Sequence, residues 1–544
     1  MPYLDGKLVT GSSTPAYLFI SFGSLLQYVP ENPPTLRRKP RKINVFAEII
    51  IPVLWKINNF LQEIFFFQKA AGSIAFNPRM CYNGSAFPPK VGGYRKVNSM
   101  KSKIAPGASE RLPRQILLFS LPLMASNVLQ VLFNMADIAV IGRFAGSLSM
   151  AAVGSTATAV TLFTGILIGV GGGINALVAR YYGARDQQEL QRTVHSSAIL
   201  CLICGILLLI FGFFGSRPLL RLLNTKPELL DKATLYMQIY FCGMPALALY
   251  NFGNAVYSAI GNTKKPLYYL LFSGIVNVVL NLVFVIVCDL DVAGVALASI
   301  ISQYLSAIFL TAALFRSRET YGLSPKRLRL HRKNCREILT LGIPAGLQNA
   351  IFYIANMFIQ AGVNSFDTVM VAGNSAAANA DGLVYDVMAA FYTACSSFIG
   401  LNYGAGRRRE IRRSYLICLG YSFGAGAILG FSLVAFGPMF LTLFTTDAAV
   451  IEAGMKRLTI MGFSYCVSAF MDNAIAACRG LGKSLVPMII VISGSCIFRI
   501  LWVMTVFAWF KTIASLYLVY IFSWTITAAF ENWYFFRCYR KLSV

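Results

Sequence analysis

Long apolar segments recur along most of this chain and leave it few folds to adopt. From about residue 115 to the C-terminus, runs such as ILLFSLPLMASNVLQVLF from 116 and ILCLICGILLLIFGFF from 199 approach the roughly 20 apolar residues that a helix needs to cross a bilayer. Lipid offers backbone groups no hydrogen-bond partner, so spanning segments are helices or closed barrels. These runs lack the alternation of barrel strands. The sequence therefore predicts an all-α membrane protein.

Charge is sparse and unevenly placed. Charged residues make up 13% of the chain, about half the share of a soluble domain, and the formal net charge is +26. Lys and Arg concentrate in the N-terminal region and in the short loops between apolar runs, as in a membrane protein oriented by positive charge. We therefore expect no nucleic-acid partner. With two histidines and cysteines scattered through apolar runs, we also expect no metal site.

Twelve transmembrane helices are predicted. The connections after helices 2, 6 and 8 are the richest in Lys and Arg, and the positive-inside rule puts them in the cytoplasm together with both termini. The predicted helices cover 115–141, 150–180, 193–214, 231–259, 266–288, 293–315, 337–363, 370–401, 413–436, 449–477, 485–509 and 513–536.

The second six helices repeat the first six. Three residues of predicted helix 1 return 222 residues later in predicted helix 7: Pro122, Asn127 and Asn134 are matched by Pro344, Asn349 and Asn356. Six is an even number, so both halves enter the membrane in the same direction. Parallel repeats with a site between them are a plan that transporters use.

The repeat divides the chain into four parts. An N-terminal extension (1–110) is proline-rich and basic, and we expect it to be disordered or foreign to the membrane domain. The N-lobe covers 111–315, a basic cytoplasmic linker covers 316–336, and the C-lobe covers 337–544. We expect the linker to be a flexible tether between two lobes that move as near-rigid bodies.

Predicted helix 1 carries a stripe of polar residues. Its members are spaced i, i+3, i+7 and i+10, which places them on one helix face: Asn127, Gln130, Asn134 and Asp137. A carboxylate inside the membrane is costly and marks a function unless it is a hydrogen-bonded structural acid. Both interpretations apply to Asp137, and the stripe favours the functional one, a hydrated cavity.

Other polar residues lie on neighbouring predicted helices. Asn277 and Asn281 are one turn apart in helix 5, and Ser299 adds a hydroxyl from helix 6. Together with Asp137 they offer the oxygen atoms that a proton relay or a hard cation such as Na⁺ uses.

The second half has its own charged residues. Asp381 and Asp386 lie in predicted helix 8, Asp472 in helix 10, and Arg499 in helix 11 beside the repeat equivalent of Asn277. Arg499 either pairs with one of these aspartates to cancel its charge or contacts substrate, and both alternatives stay open. Near the C-terminus, Glu531 stands among Trp and Tyr residues and is interpreted as an interface anchor.

Several segments resemble one transporter family. They are LPLMASNVLQVLFNMADIAVIGRFAG from 121, ARYYGARDQQELQRT from 179, GNTKKPL from 261, LGIPAGLQNAIFYIANMF from 341, LNYGAGRRREIRRS from 401 and CRGLGKSLVPM from 478. Taken together, they are similar to the multidrug and toxic compound extrusion (MATE) family, closest to its bacterial DinF-like and MepA-like branches. The resemblance covers about 110–540. It implies two six-helix lobes in a V-shaped arrangement and antiport of H⁺ or Na⁺ against organic cations.

The resemblance also assigns site residues. The aspartate of the family's helix 1 corresponds to Asp137, its helix 5 Asn and Asp pair to Asn277 and Asn281, and a helix 6 hydroxyl to Ser299. This chain has Asn281 where the family has an acid. A tight Na⁺ site needs more anionic oxygen, so the sequence favours H⁺ as the coupling ion.

These observations lead to one main hypothesis and two alternatives. We expect a monomeric antiporter, with no enzymatic activity and no cofactor, that exports small organic cations across a bacterial cytoplasmic membrane. The substrate and cavity candidates are Asn127, Gln130, Asn349, Asn356, Asp381, Asp386, Asp472 and Arg499. The alternatives are a flippase for a lipid-linked precursor, which needs several arginines in its cavity, and a channel or receptor.

Overall fold

The computed structural model describes residues 112–223, 225–442 and 444–542. The predicted N-terminal extension (1–110) lies outside these residues. Within them all regular structure is helical, and eleven helices are long and apolar enough to cross a membrane. Predicted helix 4 is present as two shorter segments, and the other eleven predicted helices correspond to these eleven.

The N-lobe contains the first six spans. They are α1 (Leu112–Phe144), α2 (Ser147–Ala184), α3 (Gln187–Leu222), α4 in two segments (Pro227–Cys242 and Met244–Ala259), α5 (Lys264–Leu282) and α6 (Asp291–Phe315). α5 continues as a π-helical turn over Val283–Val287.

The C-lobe contains the other six. They are α7 (Arg332–Val363), α8 (Thr368–Gly404), α9 (Arg408–Leu441), α10 (Ala448–Gly480), α11 (Leu485–Phe510) and α12 (Ile513–Arg540). α11 contains two π-helical stretches, Ile492–Ile497 and Val503–Phe507. α7 begins at Arg332, so the last residues of the predicted linker (316–336) form the first turn of this helix.

The interruption of α4 has a local cause. Pro245 stands at the start of the second segment, where its missing N–H removes one helical hydrogen bond. Gly243 lies between the segments and is closely approached by α6: a Cβ atom there would stand 2.6 Å from Oε1 of Gln303. The predicted single helix over 231–259 is therefore a broken one, pressed against α6 at the break.

The first turns of α1 and of α7 each pack in the core of the opposite lobe. The apolar core of the N-lobe, built from α2 to α6, also contains Ile338 and Leu341 from the start of α7. The C-lobe core in turn contains Ile116 and Phe119 from the start of α1. The Phe119 ring meets the Phe398 ring edge-on, with centroids 5.4 Å apart. Each lobe therefore encloses about three turns of a helix whose remainder belongs to the other lobe.

Glycines let α2 and α7 approach closely. Gly169 and Gly173 of α2 face Gly346 and Gly342 of α7, and both pairs are spaced by four residues. A Cβ atom on Gly169 would lie 2.2 Å from the backbone nitrogen of Gly346. Small residues at this spacing let transmembrane helices pack backbone to backbone. Only glycine fits at the centre of this contact between the lobes.

The connection between α6 and α7 is attached to the N-lobe. Leu323 is buried, and its N–H donates to the carbonyl of Leu314 over 3.0 Å. The next N–H, of Ser324, donates to Nε2 of His195 over 3.0 Å. At the far end of the connection the N–H of His331 donates to the Ser196 hydroxyl over 3.0 Å. A buried leucine and these bonds to α3 hold a segment that the sequence predicted as a flexible tether.

We call the membrane face that carries this connection the linker side. The starts of α1 and α7 and the ends of α2 and α8 lie there, so the two repeats run in parallel. Hydrogen bonds between the lobes concentrate on the linker side, for example from Tyr181 to Glu337 (2.6 Å) and from Ser397 to Asn175 (3.0 Å). This distribution agrees with the V-shaped arrangement of the lobes that the resemblance implied.

Candidate functional site

The carboxylate of Asp137 lies at the meeting point of α1, α5 and α6. Its Oδ1 accepts a hydrogen bond from Nδ2 of Asn281, and its Oδ2 accepts one from the Ser299 hydroxyl over 3.0 Å. The predicted convergence of helices 1, 5 and 6 is thus present in the structure. Both partners are uncharged, so the bonds around the carboxylate leave its negative charge uncompensated.

Asn277 completes this group one turn before Asn281. Its Oδ1 accepts from Nδ2 of Asn281 over 3.4 Å, and its Nδ2 donates to the Ser299 hydroxyl over 3.5 Å. All three neutral residues are buried, whereas Asp137 is partly exposed. Oδ1 of Asn281 is buried and has no hydrogen-bond partner. The group therefore holds one accessible carboxylate and one unused amide oxygen. We call these four residues the α1–α5–α6 cluster.

The remaining members of the α1 stripe are not part of this cluster. Gln130 and Asn134 are exposed on the same helix face. Asn127 is half-buried, and its Nδ2 donates to the backbone carbonyl of Asp386 in α8 over 2.8 Å. The stripe thus runs from a contact between the lobes near the middle of α1 to the partly exposed carboxylate of Asp137, in the half of the membrane away from the linker side.

The repeat-related positions of the C-lobe carry the opposite charge. Arg499 is completely buried in α11, beside the position that corresponds to Asn277 of α5. Its Nη1 donates to Oδ1 of Asn356 over 2.7 Å, and its Nε donates to the Ser523 hydroxyl over 3.2 Å. Asn356 stands where α1 has Asn134, and the buried Ile359 stands where α1 has Asp137. One lobe has a carboxylate among amides and a hydroxyl, and the other has a guanidinium.

Asp381 has a different partner from the one considered in the sequence. Its Oδ2 accepts from Nε of Arg457 in α10 over 2.7 Å, and its Oδ1 accepts from the Tyr465 hydroxyl. Nη1 of Arg457 also donates to Oδ1 of Asn374 over 2.8 Å. Among the described residues Arg499 has no direct ion pair with any aspartate, although its charge and that of Asp472 interact at longer range.

The other candidates of the C-lobe border the region between the lobes. Asn349 of α7 donates to the Gly165 carbonyl of α2 over 3.2 Å. Asp386 and Asp472 are half-buried. Tyr385 is 49% exposed and lies close enough to both carboxylates for their charges to interact with it. Two acids and an aromatic ring therefore stand together on the face of the C-lobe.

A family model matches this chain twice. The MatE model aligns with residues 122–283 and again with 344–505, and the two matches are offset by 222 residues, as in the predicted repeat. Together they cover more than half of the chain. The chain belongs to the MatE family. The resemblance drawn from the six segments is thereby confirmed, and the double match agrees with the predicted repeat.

Curated relatives in the MatE family bear names of transporters. The chain is 28% identical over 352 residues to the "Probable multidrug resistance protein YpnP" of Bacillus subtilis, covering 65% of this chain and 79% of that protein. It is 22% identical over 392 residues to the "Multidrug export protein MepA" of Staphylococcus aureus, covering 71% and 86%. It is also 27% identical over 352 residues to a "FAD transporter" of Shewanella oneidensis, covering 63% and 77%.

Solved MatE structures share the fold. An outward-facing MATE transporter of the MOP superfamily superposes with a TM-score of 0.74 at 21% identity, covering 81% of this chain and 99% of that one. A MOP-superfamily transporter from Pyrococcus furiosus gives the same TM-score and coverage at 22% identity, and its binding pocket is described as having reversed polarity. These structures confirm the predicted fold class of a membrane protein with two six-helix lobes.

Sequence reasoning missed two charged residues that the MatE fold encloses, Arg457 and Arg479, and misinterpreted a third, Glu531. Arg457 was not singled out, although it is the partner of Asp381. Arg479 of α10 lies against Gly172 of α2, where a Cβ atom would stand 2.8 Å from its Nη1. Glu531 is completely buried and neither carboxylate oxygen has a hydrogen-bond partner, so its interpretation as an interface anchor is wrong. The spacing of the two arginines from other polar residues gave no signal.

Proposed function

We propose that this MatE protein is a secondary active antiporter that exports organic cations in exchange for H⁺, with Na⁺ as the alternative coupling ion. The observation that supports the proposal best is the α1–α5–α6 cluster. It contains a partly exposed carboxylate that is bonded only to neutral donors. Such a carboxylate changes its charge by one unit when it takes up a proton or a cation, and transport cycles of this kind require that change.

The neutral Asn281 suits proton exchange. With Asp137 ionised, Nδ2 of Asn281 donates to the carboxylate, while its Oδ1 has no partner. Rotation of the amide by half a turn presents Oδ1 instead, and that oxygen accepts a hydrogen bond from a protonated carboxyl group. One side chain therefore satisfies both protonation states of Asp137 without any change in its own charge.

The same cluster supports Na⁺ as the coupling ion less well than H⁺. Its ligands would be the carboxylate of Asp137, the amide oxygens of Asn277 and Asn281 and the hydroxyl of Ser299. Hard cations are bound by oxygen atoms, and affinity rises with the number of charged ligands. This set contains a single negative charge, which supports H⁺ over Na⁺ as the coupling ion.

The orientation follows from loop charge. Basic residues cluster on the linker side, in the connections after α2, α6 and α8. Positive charge retains loops in the cytoplasm, so we place the linker side and both termini there, in the cytoplasmic membrane of a bacterium. The lobes then touch at their cytoplasmic half, and the α1–α5–α6 cluster lies toward the outside.

The C-lobe offers the features that an organic cation needs. Asp386 and Asp472 supply negative charge, and the exposed rings of Tyr353 and Tyr385 supply faces that attract a cation. The names of the relatives YpnP and MepA refer to multidrug resistance and export. We propose that the substrate occupies this region and that its release is linked to proton uptake at Asp137.

Transport by the purified protein in liposomes tests the proposal. Ethidium movement is recorded with a pH gradient or a Na⁺ gradient imposed separately. We expect a pH gradient to drive transport by the wild type and Asp137→Asn to abolish it. The matched control is Asp231→Asn, which removes an acid whose side chain is 82% exposed on α4 and should leave transport unchanged.

Three outcomes would contradict parts of the proposal. Wild-type rates in Asp137→Asn under a pH gradient would move the coupling group elsewhere. Transport driven by Na⁺ alone would replace the ion. Translocation of a lipid-linked precursor without ethidium transport would favour the flippase. Asn281→Asp adds a second acid to the cluster, and we expect it to change the pH profile or to introduce Na⁺ dependence.

A further inference from the structure

Arg499 is a buried cation with an unused hydrogen-bond donor. None of its surface is exposed, and Nη2 has no hydrogen-bond partner, although Nη1 and Nε are bonded to Asn356 and Ser523. No ion pair of this guanidinium occurs within the described ranges of the chain. A buried charge without a direct ion pair is costly, and the longer-range attraction of Asp472 offsets only part of that cost.

Aromatic rings surround the guanidinium but do not complete its bonding. Its central carbon lies 4.5 Å from the ring centroid of Phe352, 4.7 Å from that of Tyr520 and 5.8 Å from that of Trp524. Ring faces offset part of the cost of a buried cation. They offer no acceptor in the plane of the guanidinium, where the N–H groups point. An acceptor for Nη2 must therefore come from a group other than these three rings.

The backbone around Arg499 is irregular. π-helical stretches at Ile492–Ile497 and Val503–Phe507 flank the five-residue α-helical segment that carries it. Such stretches are rare and occur frequently at functional sites. In the N-lobe, the π-helical turn Val283–Val287 directly follows the proposed coupling residues Asn277 and Asn281. Both repeats therefore have altered helix geometry at their buried polar group.

Asn356 connects the guanidinium to a more accessible surface. It is half-buried and occupies the α7 position that corresponds to Asn134 in the α1 stripe. A rotation of its side chain frees Nη1, so that Nη1 and Nη2 together present the two parallel donors that bind a carboxylate in bidentate fashion. An anionic group can then replace the amide of Asn356.

We propose that Arg499 is the anion-binding subsite of the C-lobe and that its ligand is a carboxylate group of the transported molecule. The inference rests on the proposed export function and narrows its substrates. Molecules with a cationic aromatic part and a free carboxylate are bound at both ends: the cation at Asp386 and Asp472, and the carboxylate at Arg499. A purely cationic relative of such a molecule uses only the first contact.

Two rhodamines that differ in this one group provide the test. Rhodamine 110 has a free carboxylate, and rhodamine 123 is its methyl ester. Binding of each to the purified full-length protein is measured by fluorescence anisotropy in detergent. We expect Arg499→Gln to weaken rhodamine 110 binding about 10- to 100-fold, the usual size of a lost charge-assisted hydrogen bond, and to change rhodamine 123 binding less than about twofold.

Arg499→Lys keeps the charge, and its affinity for rhodamine 110 should lie between those of the wild type and Arg499→Gln. The control, Arg217→Gln, removes a half-exposed arginine of α3.

The outcomes separate this inference from the proposed function. Equal losses for both dyes in Arg499→Gln would show a structural role and overturn the inference. Should that variant fail to fold, the wild type alone decides, because equal affinity for the two dyes would also overturn it. If the wild type transports ethidium, equal losses for both dyes in Arg499→Gln or equal affinity of the wild type for both dyes would refute only the anion subsite. Absence of any ethidium transport by the wild type refutes the proposed function instead.

Discussion

Removal of Arg457 should destabilise the C-lobe more than loss of any exposed ion pair in the protein. Arg457 joins α10 to α8 through Asp381 and Asn374, at N–O distances of 2.7 and 2.8 Å. The Tyr517 hydroxyl of α12 donates to the same oxygen of Asn374 over 2.9 Å. This network ties three helices together at the end of the C-lobe opposite the linker side.

The magnitude follows from burial. The side chains of Arg457 and Asp381 are only 9% and 12% exposed. Breaking such a pair on one side leaves the other charge in a poorly solvated place and costs about 3–5 kcal/mol, whereas an exposed pair contributes about 0–1 kcal/mol. We expect Arg457→Met to lie in the first range. The double variant with Asp381→Asn removes both charges and should be more stable than Arg457→Met alone.

Unfolding of the purified protein in mixed micelles, followed by tryptophan fluorescence as the fraction of denaturing detergent rises, gives these free energies. The neighbouring residue provides the control. Lys456 pairs with Glu452 one helical turn away at 3.9 Å, and both side chains are more than half exposed. Lys456→Met should have no measurable effect. A loss below about 1 kcal/mol in Arg457→Met, or strict additivity in the double variant, would refute the reasoning, since exposed or independent groups behave in that way.

Three further predictions concern the extension, the contact between the lobes and their motion. A chain that starts at Met100 should insert and export like the full chain, and loss of transport at normal membrane levels would contradict this. Gly169→Val should impair transport by forcing α2 away from α7, while Gly154→Val in the same helix, where a Cβ atom meets nothing within 4 Å, should not. Cross-linking Met135→Cys to Met357→Cys in a cysteine-free background should stop turnover, because both exposed positions lie on the outer halves of α1 and α7; unimpaired transport in the linked protein would exclude motion of the lobes against each other.

The sequence predicted the architecture well because the bilayer imposes it. Apolar length determines each span, and the 222-residue register of the prolines and asparagines reveals the repeat. The break of α4 at Gly243 was not predicted. A Pro inside a transmembrane run is often tolerated. The close approach of α6 that accompanies this break is a tertiary contact, which the sequence of α4 does not indicate.

Burial of charged side chains was harder to predict. Lys456 and Arg457 are adjacent in sequence, yet one is exposed and the other is enclosed by α8 and α12. Periodicity indicates that a helix has a polar face but not which neighbour covers that face. Asp137 was recognised because it ends a stripe of four polar residues, whereas Arg457 and Arg479 stand without such a pattern.

The packing of the start of α1 in the C-lobe affects the order in which the protein folds during synthesis. The first turns of α1 leave the ribosome early, but their packing partners, such as Phe398, follow only after nearly 300 further residues. At about 5–20 residues per second that interval is on the order of 15 to 60 s. During this time the leading turns of α1 lack their final neighbours, whereas the partners of the linker and of the start of α7 in the N-lobe precede them in the chain. Completion of the first half therefore depends on synthesis of the second, which obliges the two halves to mature as one unit in the membrane.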